Sequence, residues 1–253
     1  MGIEMTERLY RVLDTVFSWL KGYEYKLGRE IPLSALAGVT CRRSIWLARG
    51  FVKCIVLQRK MILVYMAPQS SLRNARAIHF GRGVTIERGA IIDGLSRRGI
   101  HFGHNVVIGP YSVIRASSPC NVGEGARIGN NSAVDAYSFV GAAGMIEIGE
   151  NVIMGQHVSF HAENHNFERT DIPIKLQGTR RQGIVVEDDC WVGSNTTFLD
   201  GSHVGRGCVI AAGSVVRGEI PAYSIAAGVP ARVLRSRQAD AGGRSAEVQV
   251  GVI

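Results

Sequence analysis

The sequence predicts a mainly β chain: a parallel β-helix with an α-helical N-terminal region and one projecting loop. Three observations predict it. From Phe80 to Pro221 the chain repeats in blocks of six, such as FGHNVV from Phe102, IGNNSA from Ile128 and VGRGCV from Val204. The first residue of each block is aliphatic or Phe, and the fifth is small or branched, as at Val84, Ala90, Ser132, Cys190 and Ser214. The second is often Gly, which relieves the backbone at a corner. This period is neither that of an amphipathic helix nor that of a simple alternating strand. A six-residue unit with two inward positions is a short strand plus a corner. Stacked units bury one another's faces and form a solenoid.

The elements follow in chain order. Residues 1–77 carry no blocks and form a helical N-terminal region. In "TERLYRVLDTVFSWLKG", Leu9, Val12, Leu13, Val16, Phe17 and Leu20 recur at helical spacing, and Gly22 ends the helix. A second helix is predicted from Ser44 to about Tyr65, with Arg49, Lys53, Arg59 and Lys60 among apolar residues and Arg42–Arg43 ahead of it. It reads as a cap on the first open coil, which a solenoid end needs, and also as a basic amphipathic surface suited to peripheral contact with anionic lipid. Residues 78–237 form the solenoid domain. Its frame breaks at Gly94–Ile100, at Arg115–Asn121 and at Ile146–Glu147. The largest break follows "FHAENH" and lasts until Val186, so residues 166–185 project as a loop, the usual place for binding in a solenoid. The tail 238–253 is small and polar at first and predicted to be mobile.

Composition sets outer limits. Hydrophobic residues make up 46% and charged residues 20% of 253, a globular balance, while aromatics are only 7% and Gly reaches 31. The net charge of +8 suits anionic partners such as phosphorylated cofactors, acidic glycans or lipid surfaces, without choosing among them. The five cysteines are scattered and odd in number, which argues for a reducing compartment and against a disulfide framework. The N-terminus lacks a basic segment followed by an apolar run, so no secretory signal is predicted. "MILVYMAP" is too short to span a bilayer. The expected location is cytoplasmic, with membrane contact at most peripheral on the inner face. No nucleic-acid partner is predicted.

The chemistry concentrates at "HAENHNFERT", residues 161–170. His165 closes the last block before the loop, on an outward position at the loop's root. There it can be a loop-root histidine that hydrogen-bonds its own turn or a general base, with Asn164, Asn166 and Phe167 beside it as candidates for touching a substrate. Glu163, Glu168 and Asp171 could each orient it, and the sequence does not choose. His157, His161 and His165 stand at positions four, two and six of their blocks and point in different directions, which argues against a shared metal set. Cys190 and Cys208 stand on the inward fifth position and read as core residues. Trp191, in the first block after the loop, is a large aromatic on an outward position.

The stretch "VVEDDCWVGSNTTFLDGSHVGRGCVIAAGSVVRGEIPAYSIAAGVPARVLR", with His165 and its loop upstream, resembles the hexapeptide-repeat acyltransferases. The likeness is greatest to the branch holding galactoside, maltose and bacterial polysaccharide O-acetyltransferases, and it covers residues 78–237. It implies a left-handed β-helix with three blocks per coil, a homotrimer, and acetyl-CoA as acyl donor with no metal. "NVIMGQHVSFHAENH" matches the segment ending in the family's catalytic histidine, which implies that role for His165. Trp191 matches a tryptophan against the active-site cleft. Ser194 and Ala212 match positions on the pantetheine arm, and Arg232 and Arg235 match basic residues near the coenzyme's phosphates. Relatives often have Thr-Lys where this chain has Arg217–Gly218, so Arg217 supplies that cation one residue early. Acceptor-binding residues of galactoside enzymes would fall near Ala142 and Ala143, which argues against a simple galactoside. The resemblance implies acetyl transfer to a sugar or glycan hydroxyl in cell-surface polysaccharide or lipopolysaccharide assembly. N-acetylation of an amino sugar is the alternative on the same fold. A non-catalytic scaffold and a zinc-dependent lyase like the β-helical carbonic anhydrases are further alternatives.

Overall fold

The structure is a computed structural model and describes residues 2–21, 24–56, 63–116 and 121–238. The predicted helix stop at Gly22, residues Arg59 to Met61, Cys120 and tail residues 239–253 lie outside the described residues.

Two helices come first, α1 (Gly2–Lys21) and α2 (Leu33–Val56). The second starts well before Ser44, because "LSALAGVT" is itself helix-forming and Pro32 immediately precedes its first turn. It does not extend to Tyr65. Val64–Met66 is a strand, paired in parallel with Val84–Ile86. Val64 and Met66 point inward and Tyr65 lies between them, an alternation of period two that belongs to the solenoid. At Gly50 of α2 a Cβ would sit 1.9 Å from the Val64 carbonyl oxygen, so the missing side chain lets the helix backbone lie directly on the first rung.

The rungs stack as a parallel β-solenoid of three faces. The first face begins with Val64–Met66, Val84–Ile86, Val107–Ile108 and Ala133–Val134 and continues through Ile153–Met154, Trp191–Val192, Val209–Ile210 and Ser224–Gly228. A bond from the Ala133 N–H to the Val152 carbonyl joins the two parts. The second face runs from Ser71–Arg73 to Val215–Val216 and the third from Ile78–Phe80 to Glu219–Ile220, seven strands each. An antiparallel hairpin, Ser224–Gly228 with Ala231–Ser236, closes the C-terminal end of the first face.

The six-residue frame fixes the packing. First-position residues such as Ile108, Ile128, Val140, Phe160, Val186 and Phe198 are completely or almost completely buried, and so are fifth-position residues from Val84 to Ser214. Phe160 and Phe198 stack in the core with centroids 4.6 Å apart. Polar fifth positions are satisfied locally: the Ser132 hydroxyl donates to the Gly149 carbonyl (2.7 Å) and accepts from the Val152 N–H (2.9 Å).

Glycine at the second position has a different reason from the one the sequence suggested. These glycines have no left-handed backbone. Instead, a Cβ at Gly129 would lie 2.5 Å from the Gly149 backbone of the next coil. The left-handed residue is the fourth, where Asn105, Asn131, Asn151 and Asp189 form one corner ladder and Tyr111, Tyr137 and His157 another. Side-chain amides link the first ladder, at 3.1 to 3.3 Å. Ring stacking links the second, at 5.4 and 5.1 Å.

Candidate active site

The second-face strand Ser159–His161 ends at His161, and Ala162 beyond it is still fully buried. His165 is therefore not the last residue of a solenoid strand. Asn164–His165 forms the first rung of a hairpin, antiparallel to Thr179–Arg180, with His165 opposite Thr179. The excursion is shorter than the block count suggested. Ile184 is already inward and pairs with Ile146, two residues before the frame resumes at Val186. A search for first-position residues alone passes over Ile184, because it fills a fifth position.

The hairpin is anchored at its root and braced along its length. The largely buried Asp200 carboxylate accepts from the Gln182 N–H (2.9 and 3.1 Å) and the Gly183 N–H (2.9 Å), and the Asn164 amide lies 3.5 Å away. Arg181 forms an ion pair with Glu163 (2.6 Å) and donates to the Val122 carbonyl (3.3 Å). Further out, the Gln177 amide bridges the Arg169 N–H (3.0 Å) and the Arg169 and Ile172 carbonyls (2.7 and 3.2 Å). Asn166 donates to the Gln177 carbonyl (3.0 Å). Neither Asp200 nor Arg181 was picked out by the sequence. Acids occupy the third block position elsewhere too, at Glu124, Glu150 and Asp188, so nothing marked Asp200.

This bracing settles where the three carboxylates near His165 are spent. Glu163 is held by Arg181. Asp171 is paired with Arg169, which holds its carboxyl below the usual range. Glu168 is likewise held low, by its own N–H and that of Phe167. The His165 side chain is exposed and, among the described residues, has no hydrogen-bond partner. Its ring nitrogens are open to a substrate. Phe167 beside it is 61% exposed, and Ile174 and Leu176 on the same hairpin are similarly bare.

Trp191, Ser194 and Ala212 sit together elsewhere. Trp191 is 43% exposed on the outer side of the first face, between Ile153 and Val209. Ser194 lies at the corner that follows. Its hydroxyl occupies the space a Cβ at Gly155 would fill, and Ala212 packs on Gly193 one coil further on. This corner leads into the second face, whereas the His165 hairpin leaves at the far end of that face. One chain thus carries the two groups on different corners of the prism. Arg232 and Arg235 are exposed on the closing hairpin, opposite Ala227 and Ile225. Among the described residues their guanidiniums reach the carbonyls of Ala231 (3.1 Å) and Ser236 (3.3 Å) alone. Arg217 is also exposed, and among the described residues none of the three has an acidic partner. Ala142 and Ala143 are buried.

His157, His161 and His165 do not gather. His157 stacks on Tyr137, His161 packs tilted against Phe139, and His165 is on the hairpin. Among the described residues there is no cluster of three or more His, Cys, Asp or Glu able to hold a metal. Cys190 and Cys208 are buried in successive coils, as the frame predicted. The contact with Cys208 and burial push the Cys190 thiol up.

Residues 183–218 match the family profile described as bacterial transferase hexapeptide, six repeats. Over these residues the chain is similar to the hexapeptide-repeat transferases. A protein of Mycobacterium tuberculosis named as an acetyltransferase is 43% identical over 75 residues, 30% of this hexapeptide-repeat chain and 25% of that protein. A protein of Escherichia coli K12 named for lipopolysaccharide biosynthesis O-acetyl transfer is 28% identical over 65% of this chain and 74% of its own length. A Staphylococcus aureus protein named as a tetrahydropyridine-dicarboxylate N-acetyltransferase is 40% identical over 52 residues, 21% of this chain and 22% of its own. The hexapeptide-repeat chain thus spans a quarter of the mycobacterial relative and about three quarters of the E. coli one.

Proposed function

We propose that this chain is an acetyl-CoA-dependent O-acetyltransferase that acts on a sugar hydroxyl in cell-surface polysaccharide or lipopolysaccharide assembly, at the inner face of the membrane. The observation that carries the reading is the likeness to the E. coli O-acetyl transfer protein, which extends over 164 residues and so reaches well beyond residues 183–218 that match the family profile. The residues present fit the donor. Arg217, Arg232 and Arg235 are cations without acidic partners among the described residues, as a phosphorylated nucleotide requires. Trp191 offers an exposed ring, and the Ser194–Ala212 corner is lined by small residues along which a narrow arm can lie.

In this reading His165 is the general base. A sugar hydroxyl is a poor nucleophile, and a neutral imidazole can accept its proton during attack. The hydroxyl oxygen bonds to the thioester carbonyl carbon, the C–S bond breaks, and the leaving thiolate takes up the proton. An imidazole with open ring nitrogens suits this exchange better than one already hydrogen-bonded. Asn164, Asn166 and Phe167 would meet the acceptor. The assembly proposed is a homotrimer whose sites lie between subunits, since the histidine and the donor wall occupy different corners of one chain.

The test is a glycan screen with radiolabelled acetyl-CoA, reading label on the acceptor and the free thiol released. Ester-linked, hydroxylamine-labile label is expected. Amide-linked label would select N-acetylation, the activity named for the S. aureus relative. Release of thiol with no acceptor dependence would overturn both.

A further inference from the structure

We infer that α2 and the first coils form a docking surface for an anionic lipid bilayer. The inference adds residues and a lipid chemistry to the location proposed above, and it rests on observations independent of the catalytic site. In α2, Ile45, Ala48, Val52 and Ile55 recur at spacings of three and four and make one stripe. All four are exposed, Val52 at 60% and Ile55 at 64%. The opposite side of the helix is the one seated on the solenoid, where Gly50 meets Val64 and the Arg43 guanidinium lies 5.5 Å over the Tyr65 ring. The stripe therefore points away from the protein's own core.

Charge identifies the occupant. Arg42, Arg49 and Lys53 form a second row about a quarter-turn round from the stripe, and α2 contains no Asp or Glu. Residues 33–116 hold 13 Lys and Arg against two Asp and Glu, while the whole chain holds 29 against 21. The excess positive charge is thus concentrated here, and the remainder is slightly acidic. Arg73, Arg76, Arg82 and Arg88 on the first coils are exposed beside the helix-bearing end. An apolar stripe edged by cations matches a bilayer, whose acyl boundary takes the stripe while anionic headgroups take the row. Nucleic acid would match the charge and leave the stripe in water. A second copy of this basic surface would match the stripe and set cation against cation. No helix among the described residues is long and apolar enough to cross a membrane, so the contact is an in-plane one.

The experiment is co-sedimentation of the full chain with vesicles of phosphatidylcholine alone or with phosphatidylglycerol, at low and high salt. Binding only to the anionic vesicles, weakened by salt, is expected. Arg49→Gln with Lys53→Gln should lower the partition coefficient about 25-fold, from roughly five-fold per cation removed. Val52→Gln with Ile55→Gln should lower it as well, and because both side chains are exposed the fold should hold by circular dichroism. Equal binding to both vesicle types, no binding to either, or Gln variants that bind like wild type would overturn the proposal. So would a drop in oligomer mass for the stripe variant with vesicle binding intact, which would make the occupant another copy of the chain. Acetyl transfer to a soluble acceptor should be unchanged in both double variants, so docking and catalysis can fail separately.

Discussion

His165→Ala should lower kcat by about 10²–10⁴-fold, the usual loss for a general base, while coenzyme A still binds by calorimetry. His161→Ala should be much milder, because His161 packs against Phe139 on the solenoid wall and stays off the hairpin rung. Comparable kcat/KM for His165→Ala and wild type would remove the base from His165. Arg232 makes a different kind of contribution. Among the described residues its guanidinium bonds to its neighbour's carbonyl alone, and a phosphate contact is made equally in ground and transition states. Arg232→Ala should therefore raise KM for acetyl-CoA and leave kcat at saturation unchanged. Titration with acetyl-CoA and its 3′-dephospho form checks this, and a fall in kcat alone would refute it. At this scale the sequence was legible where the frame fixes direction. Cys190 and Cys208 are inward because the fifth position is inward. Hydrogen-bond partners were not legible. Three carboxylates near His165 were equal candidates for orienting it, and only the fold shows that Arg181, Arg169 and backbone N–H groups hold them.

Among the elements, the hairpin at 164–180 was visible only as a gap in the repeat. Its paired segments are two residues each, too short for any periodicity, and they pair with each other and not with a coil. The stacked strands were legible because inward first and fifth positions recur throughout. The second-position glycines were seen but misattributed, since a conformational need and a close approach between coils leave the same residue in the sequence. The hairpin's position depends on Asp200. Asp200→Ala would strand the N–H groups of Gln182 and Gly183, the latter buried, and leaving such a donor unpaired costs about 1–3 kcal/mol. The expected result is a lower Tm and faster tryptic cutting at Arg169, Lys175 and Arg180. Asp200→Asn keeps an acceptor and should recover most of the loss. Wild-type digestion rates in Asp200→Ala would show that the root is held by other contacts, chiefly Arg181 with Glu163 and Val122.

For the whole molecule, the decisive relation is between two corners of one prism. The second face lies between the His165 hairpin and the Trp191, Ser194 and Ala212 corner. Each chain also leaves apolar groups bare on both sides: Ile153 and Trp191 on the first face, Phe167, Ile174 and Leu176 on the hairpin. A neighbouring copy rotated about a three-fold axis would set one chain's hairpin against the next chain's first face, burying both sets and forming one site from two chains. The prediction is complementation. His165→Ala and Ser194→Trp should each be inactive as pure trimers, the first lacking the base and the second with the donor corner blocked. After subunit exchange at equal amounts, about a quarter of sites should pair an intact histidine with an intact neighbouring corner, if mixing is random and closure is three-fold. Activity near that fraction of wild type would assign the base and the donor wall to different chains. A monomer by sedimentation, or no recovery after exchange verified by native mass spectrometry, would require His165 to find its donor within its own chain.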